Sequence, residues 1–554
     1  PAPLPLDGQK LQPLQTACLL PFLFCTMRQT NRRRAVIPPL TIAFIALDDR
    51  PCNRLFPQQL AAISGARLLM PPREHLGWYT RPGNCDAIAD WLARCRADRF
   101  VVSADMLCYG GLVASRTPVV EADLALRRLD SLRELRRRRP DGVIYAFGII
   151  MRLGTTVTDA ESMCLHLGLG EYSQLVDRVQ RLGEADLQPQ LDSVTSRLGA
   201  DALARYLAVR RRNHAVNRAL IKLTADGVID YLVLAQEDSA PVGIHVPELL
   251  ALRGQVDEFR VADQVAIHPG ADEVGMVLMA RHHATARRPL RIAVEYASPQ
   301  GAALIPRFEH QPISQTVESQ IRAAGARVTH HGSDADLAIH TPVGAQGDIA
   351  EAPPTGLSPA LAAQADMLAA STRAASVNGA LVGLADLAYC NGVDPELIAA
   401  LQRVGAGHLA AFAGWNTAAN TLGTVIAQLC IAASVGAKAE APPDATENEA
   451  ARDFIACRLV DDYGYQSCVR KLAGERAASI GASPFVLGDL APEIQRFVQE
   501  QLQPFSHLAY SDLLGATSAF PERIRVSLPW QRLFEVEVRA EEDASAGGSE
   551  KNLS

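Results

Sequence analysis

The chain has 554 residues, more than one ordinary domain holds, so two or three folded units are expected. Apolar residues make up 48% and charged residues 21%, the balance of a globular protein rather than a disordered or fibrous one. A net charge of −7 gives no basis for nucleic-acid binding, and the one basic run, "RELRRRRP" (133–140), reads as the last turn of a helix, where cations meet the negative end of the helix dipole.

The N-terminal stretch "ACLLPFLFC" (17–25) is too short to span a bilayer, and its charges follow the apolar segment instead of preceding it, so it does not read as an export signal. Met27 reads as a start, with residues 1–26 as an upstream extension and 1–38 disordered. No later run reads as a membrane helix. The eleven cysteines lack paired or metal-finger spacing, and Cys390 and Cys430 fall inside apolar runs. This usage suits buried thiols in a reducing cytoplasm.

From residue 41 onward, apolar β-branched runs recur at 41–51, 100–111, 143–152, 231–241, 265–275, 291–298, 335–342, 380–392 and 408–423. Stretches with leucine at helical spacing separate them, such as 121–138, stopped by Pro140, and 201–227, ended by Gly227. Continuous apolar strands alternating with amphipathic helices predict an α/β fold, its parallel strands either closed into a barrel or doubly wound. Residues 155–228 form a helical insertion longer than one crossover needs and read as a lid or cap. The expected organisation is an α/β catalytic domain over 39–290, a second α/β segment over 291–436 and a mainly helical C-terminal region over 437–540. The Pro-, Ala- and acid-rich stretch 437–450 serves as linker, a strand-like run closes the chain at 523–540, and a disordered tail follows over 541–554.

In parallel α/β folds, ligands sit at the carboxyl ends of the strands. The first run ends in Asp48, Asp49 and Arg50, the second carries Asp105 with Arg116 beyond it, and the third ends in Arg152. The fourth gives Glu237 and Asp238, the fifth His268, Asp272 and Glu273, and later runs give Asp386, Trp415, Asn416 and Asn420. Singly, each acid reads as a turn or cap residue. Three acidic pairs, each placed after a strand, favour one acid-rich pocket. Like charges side by side after an apolar strand are costly unless a cation compensates them. Trp415 flanked by the amides of Asn416 and Asn420 is a common way to hold a sugar ring, and it also reads as core filler beside a helix cap. There is no phosphate loop, no dinucleotide glycine motif, no nucleophile elbow and no H-E-x-x-H.

Two resemblances follow from these motifs. The segments "LDDRPCN", "DMLCYGGLVASR", "QEDSAP", "PGADEVG" and "GWNTAANTLGT" resemble, in this order, the bacterial domain-of-unknown-function 4127 family, which carries no activity over to this chain. Locally, "HPGADEV" (268–274) is similar to the H-x-G-x-D-E-V signature of retaining β-N-acetylhexosaminidases. That resemblance implies Glu273 as general acid, with Asp272 orienting a 2-acetamido group that serves as nucleophile.

The resulting expectation is a hydrolase, a glycoside hydrolase acting on an N-acetylated or other polar sugar. Asp272 and Glu273 would do the chemistry and the remaining strand-end residues would bind. It needs no cofactor. The alternatives are a metal-dependent hydrolase of a small anionic metabolite, with a divalent cation held by the same carboxylates and His268, and a non-catalytic two-lobed carbohydrate-binding protein. The partner in each case is a small molecule or carbohydrate, with no nucleic acid and no membrane.

Overall fold

The computed structural model describes residues 40–284, 288–342, 359–436, 449–515 and 524–540. The expected N-terminal extension, nearly all of the linker and the tail lie outside the described residues.

Every apolar run named above contains a strand, and the strands assemble into two open parallel sheets rather than a closed barrel. The first holds β1 (Thr41–Ile45), β2 (Arg67–Leu69), β3 (Arg99–Ser103), β4 (Val143–Ile150), β5 (Tyr231–Gln236) and β6 (Val265–Pro269), in the order β2-β1-β3-β4-β5-β6. The second holds β7 (Arg291–Tyr296), β8 (Arg327–Val328), β9 (Ala335–His340), β10 (Val382–Asp386) and β11 (Leu409–Ala413), in the order β8-β7-β9-β10-β11. The second sheet therefore repeats the strand order of the first sheet's first five strands, a doubly wound pattern whose direction of winding reverses beside its first strand. The short strands β2 and β8 were not legible as apolar runs. The last strand-like run is an antiparallel hairpin, β12 (Ile524–Ser527) and β13 (Glu537–Ala540), broken in the middle at Pro529.

The two sheets share one apolar core. Helices Pro51–Ser64, Val274–Ala284 and Ile313–Ala323 pack against Ala418–Gly436, which also lies on β10 and β11. By length and by its mean hydropathy of 1.5, Ala418–Val435 could cross a membrane, which the sequence reading did not anticipate. Here 89% of it is buried inside the protein, and Leu422, Val425, Ile426 and Leu429 are wholly shielded from solvent. A helix apolar all round is the expected centre of a large core.

The insertion after β4 consists of helices Ala160–Gln180, Gln188–Leu198 and Ala200–Ala225. The longest of these satisfies the carbonyls where β4 ends. Asn217 donates to Ile149 O at 3.1 Å, Arg210 to Arg152 O at 2.7 Å, and the Tyr206 hydroxyl to Leu153 O at 2.7 Å. Backbone leaving a buried sheet needs such partners. The C-terminal region is fastened through Arg458, whose buried guanidinium lies 3.6 Å over the Phe56 ring and donates to Asp461 and Asp462, both at 2.9 Å. Asp462 in turn accepts from Gly414 N, just past β11, at 2.9 Å.

Candidate functional site

A cavity of about 340 Å³ lies at the carboxyl-terminal rim of the first sheet. Its walls come from segments far apart in the chain: the ends of β1, β4, β5 and β6, the start of helix Ala418–Gly436, and the loop between β12 and β13.

After β1, Arg50 reaches from Asp48 to Asp272. Its Nη2 donates to Asp48 at 2.7 Å and to Asp272 at 2.6 Å, and its Nη1 donates to the second Asp272 oxygen at 3.1 Å. Asn53 Nδ2 bridges the same two carboxylates at 2.9 and 3.0 Å. Like charges thus sit together because a guanidinium and an amide lie between them. Burial opposes the Arg50 charge, but Asp272 and Asp48 outweigh it and raise its pKa. Burial raises Asp272 above the usual carboxylate range, against the pull of Arg50. Asp272 and Arg50 line the cavity. Asp48 stands behind Arg50. Asp49 accepts from the Trp530 indole and from Arg73.

Beside this network, Arg116 grips Glu237 with two donors, its Nε at 3.3 Å, and Arg152 pairs with Asp238. Arg152 Nε makes no hydrogen bond and lies 3.9 Å from Glu237 Oε1. Burial, reinforced by the guanidiniums of Arg116, Arg50 and Arg532 and opposed by Glu237, pulls Arg152 down to about 10. Several guanidiniums thus share one concavity with their carboxylate partners, and the unsatisfied Arg152 Nε is a donor that a ligand acceptor would meet.

The remaining walls supply a ring and amides. Trp530 is stacked on Tyr79, with ring centroids 5.3 Å apart, and the guanidiniums of Arg50 and Arg532 lie 5.2 and 4.6 Å from its indole. Asn416 lines the cavity with φ +56, and Asn420 accepts from Asp272 N at 3.1 Å while donating to Thr417. Six non-glycine residues among those described adopt left-handed backbone. Asn416 and Trp530 are on the cavity wall, and Tyr79 backs Trp530. Such conformations cost on the order of 1–3 kcal/mol each and concentrate at functional sites.

Seven expected site residues are not on the cavity wall: Asp48 and Asp49, which pair with residues that are, and five that serve other contacts. Glu273, the expected general acid, is fully buried against helix Ala418–Gly436. Its carboxylate folds back to accept from Ala271 N at 2.9 Å and from Gln320 Nε2 at 3.0 Å. Gly270, at φ +130, makes this fold-back feasible, since a Cβ there would sit 1.9 Å from Glu273 Oε1. The stretch "PGADEVG" is thus a helix-starting turn that also presents Asp272. Burial raises Glu273 to about 8. Asp105, pushed to about 7 by burial, accepts from Ile149 N at 2.8 Å and ties β3 to β4. His268, drawn down to about 4 by burial, bonds Pro269 O within β6. Trp415 packs edge-on against Phe56 and donates to Thr424. Asp386 belongs to the second sheet, where it accepts from Ala388 N and Asp394 N beside the buried His340–Asp394 pair.

Among the described residues, no three His, Cys, Asp or Glu side chains are grouped so as to hold a metal ion. The sequence reading missed Trp530, Arg532 and His166, all on the cavity wall. Pro529 inside the last strand-like run was the available signal for the loop that carries the first two, because proline is not tolerated within a paired strand. No curated protein and no solved structure matches the chain. A family model does match, over residues 42–539, and the chain belongs to that family, described as protein of unknown function (DUF4127).

Proposed function

We propose that this protein is a glycoside hydrolase acting on a polar sugar that bears an acidic group. The observation that carries this reading is the convergence on one cavity of Asp272, Glu237 and Asp238 with four paired arginines, two amides and the Trp530 indole. The indole lends an apolar wall against a sugar ring, amides suit its hydroxyls, and planar guanidiniums suit a carboxylate or sulfate.

Glycosidases of the common type divide the work between a carboxyl that protonates the leaving oxygen and a carboxylate that serves as base or nucleophile. Asp272 fits the first role because it stands on the cavity wall and burial shifts its pKa upward, against the pull of Arg50 and Asn53. Glu237 and Asp238, ion-paired to Arg116 and Arg152, fit the second. Glu273 is not assigned a role, since a substrate in the cavity does not meet it. A reaction assisted by a 2-acetamido group with Glu273 as acid therefore gains no support.

The test is a panel of 4-nitrophenyl glycosides, hexuronides and N-acetylhexosaminides among them. Turnover of a hexuronide is expected, with Asp272→Asn lowering kcat at least about 100-fold while ligand binding persists. Saturable binding without any turnover by the wild type, or an Asp272→Asn enzyme with unchanged kcat, contradicts the reading.

A further inference from the structure

We infer that the substrate has at least two units and that these meet over Arg152, His166 and Asp238. This rests on the hydrolase reading above. A second cavity, of about 490 Å³, lies under the helical insertion, and those three side chains line both cavities. They form the boundary between two compartments, which is where a bond joining two occupants would lie.

The second compartment is built for a polar unit, with Glu171 and Arg178 as well as amides on its wall. Gln174 and Gln190 face it from two helices of the insertion, and Phe308 closes it. Phe308 is held at φ +68, its carbonyl accepting from Ser239 N at 2.8 Å. A strained aromatic residue beside two amides repeats the composition of the first compartment, where Trp530 stands with Asn416 and Asn420.

His166 is fixed at the boundary in one tautomer. Its Nδ1 lies 2.7 Å from Thr155 O and donates to it, so Nε2 carries the lone pair. The ring rests directly on Gly154, where a Cβ would come within 2.4 Å of Nδ1. Burial and the neighbouring Arg152 draw His166 below the ordinary histidine range, which keeps it a neutral acceptor for a substrate hydroxyl or a water at the junction.

Gly170 supplies a direct test. It lines the second compartment from inside a helix, and a side chain there would meet nothing within 4 Å of its Cβ. Gly170→Trp should therefore fill the compartment without disturbing the fold, and Gln174→Ala should remove a polar contact without filling it. Calorimetric titration with a methyl hexuronide and with the matching hexuronic-acid disaccharide, both in an Asp272→Asn background to prevent turnover, reads the result. The disaccharide should bind more tightly than the monosaccharide. Gly170→Trp should lower disaccharide affinity at least 10-fold and Gln174→Ala several-fold, with monosaccharide affinity held within twofold. Equal affinity for the two sugars, or a disaccharide unaffected by Gly170→Trp, overturns the second compartment while leaving the first intact. If neither sugar binds, the sugar-hydrolase reading and this inference fall together.

Discussion

Glu273 and Glu309 are carboxyls closed off from water, and each is tied to the helix Ala418–Gly436. Glu309 accepts from Ala419 N at 2.6 Å, and Gln320 bridges Glu273 to Ala419 O with two bonds of 3.0 Å. Burial raises both to about 8 from an ordinary 4.5, so at neutral pH the folded chain holds protons that the unfolded chain has released. Stability from those protons is complete below about 4.5 and is lost as pH rises through about 8. The slope is about 1.4 kcal/mol per pH unit for each group. Buried His268 and His310, drawn down to about 4, act in the opposite sense, but only below their ordinary 6.5. The thermal midpoint is therefore expected to fall from pH 6.5 to about 8 and to level off above it, and Glu309→Gln should flatten that fall. An identical slope in the variant would show that Glu309 is ionised in the folded protein. These roles were not legible in the sequence. An adjacent Asp–Glu pair after a strand reads the same whether both residues face a cavity or, as here, Asp272 faces it and Glu273 turns back under Gly270.

Strands and helices were far easier to read than the side chains on them. A run such as "VIYAFGII" has no polar interruption, and it is β4 because both faces of a parallel sheet are covered. The two-residue β8 and three-residue β2 left no such signal. Helix Ala418–Gly436 was read from the cap that begins it, but not as the element on which helices of both sheets pack. Its Gly423 lies so close to Glu273 that an added Cβ would sit 2.2 Å from Glu273 Cγ. In an exposed helix, Gly→Ala stabilises by about 0.5–1 kcal/mol. Gly423→Ala should instead destabilise by about 1–3 kcal/mol through overpacking, seen as a lower urea midpoint at unchanged m-value. A higher midpoint would mean that the helices are not in the close contact described.

For the whole molecule, the sequence showed which residues could meet but not which would. Asp272, Glu237, Asp238, Arg50, Arg116, Arg152, Asn416 and Asn420 do share one cavity, because the winding of the first sheet gathers its strand ends and the start of helix Ala418–Gly436 comes in beside them. The contribution of the C-terminal hairpin was hidden, since nothing in a run that looks like one strand shows that its midpoint bends over a site built by the first sheet. Trp530 on that bend is the only one of the chain's four tryptophans among the cavity-lining residues, so it reports directly on occupancy. Intrinsic fluorescence should be followed while the wild type and Trp530→Phe are titrated with a methyl hexuronide. A ligand seated against the indole requires a saturable change in the wild type that is absent from Trp530→Phe. A titration that never saturates, or the same saturable change in both proteins, would contradict a sugar site in this cavity.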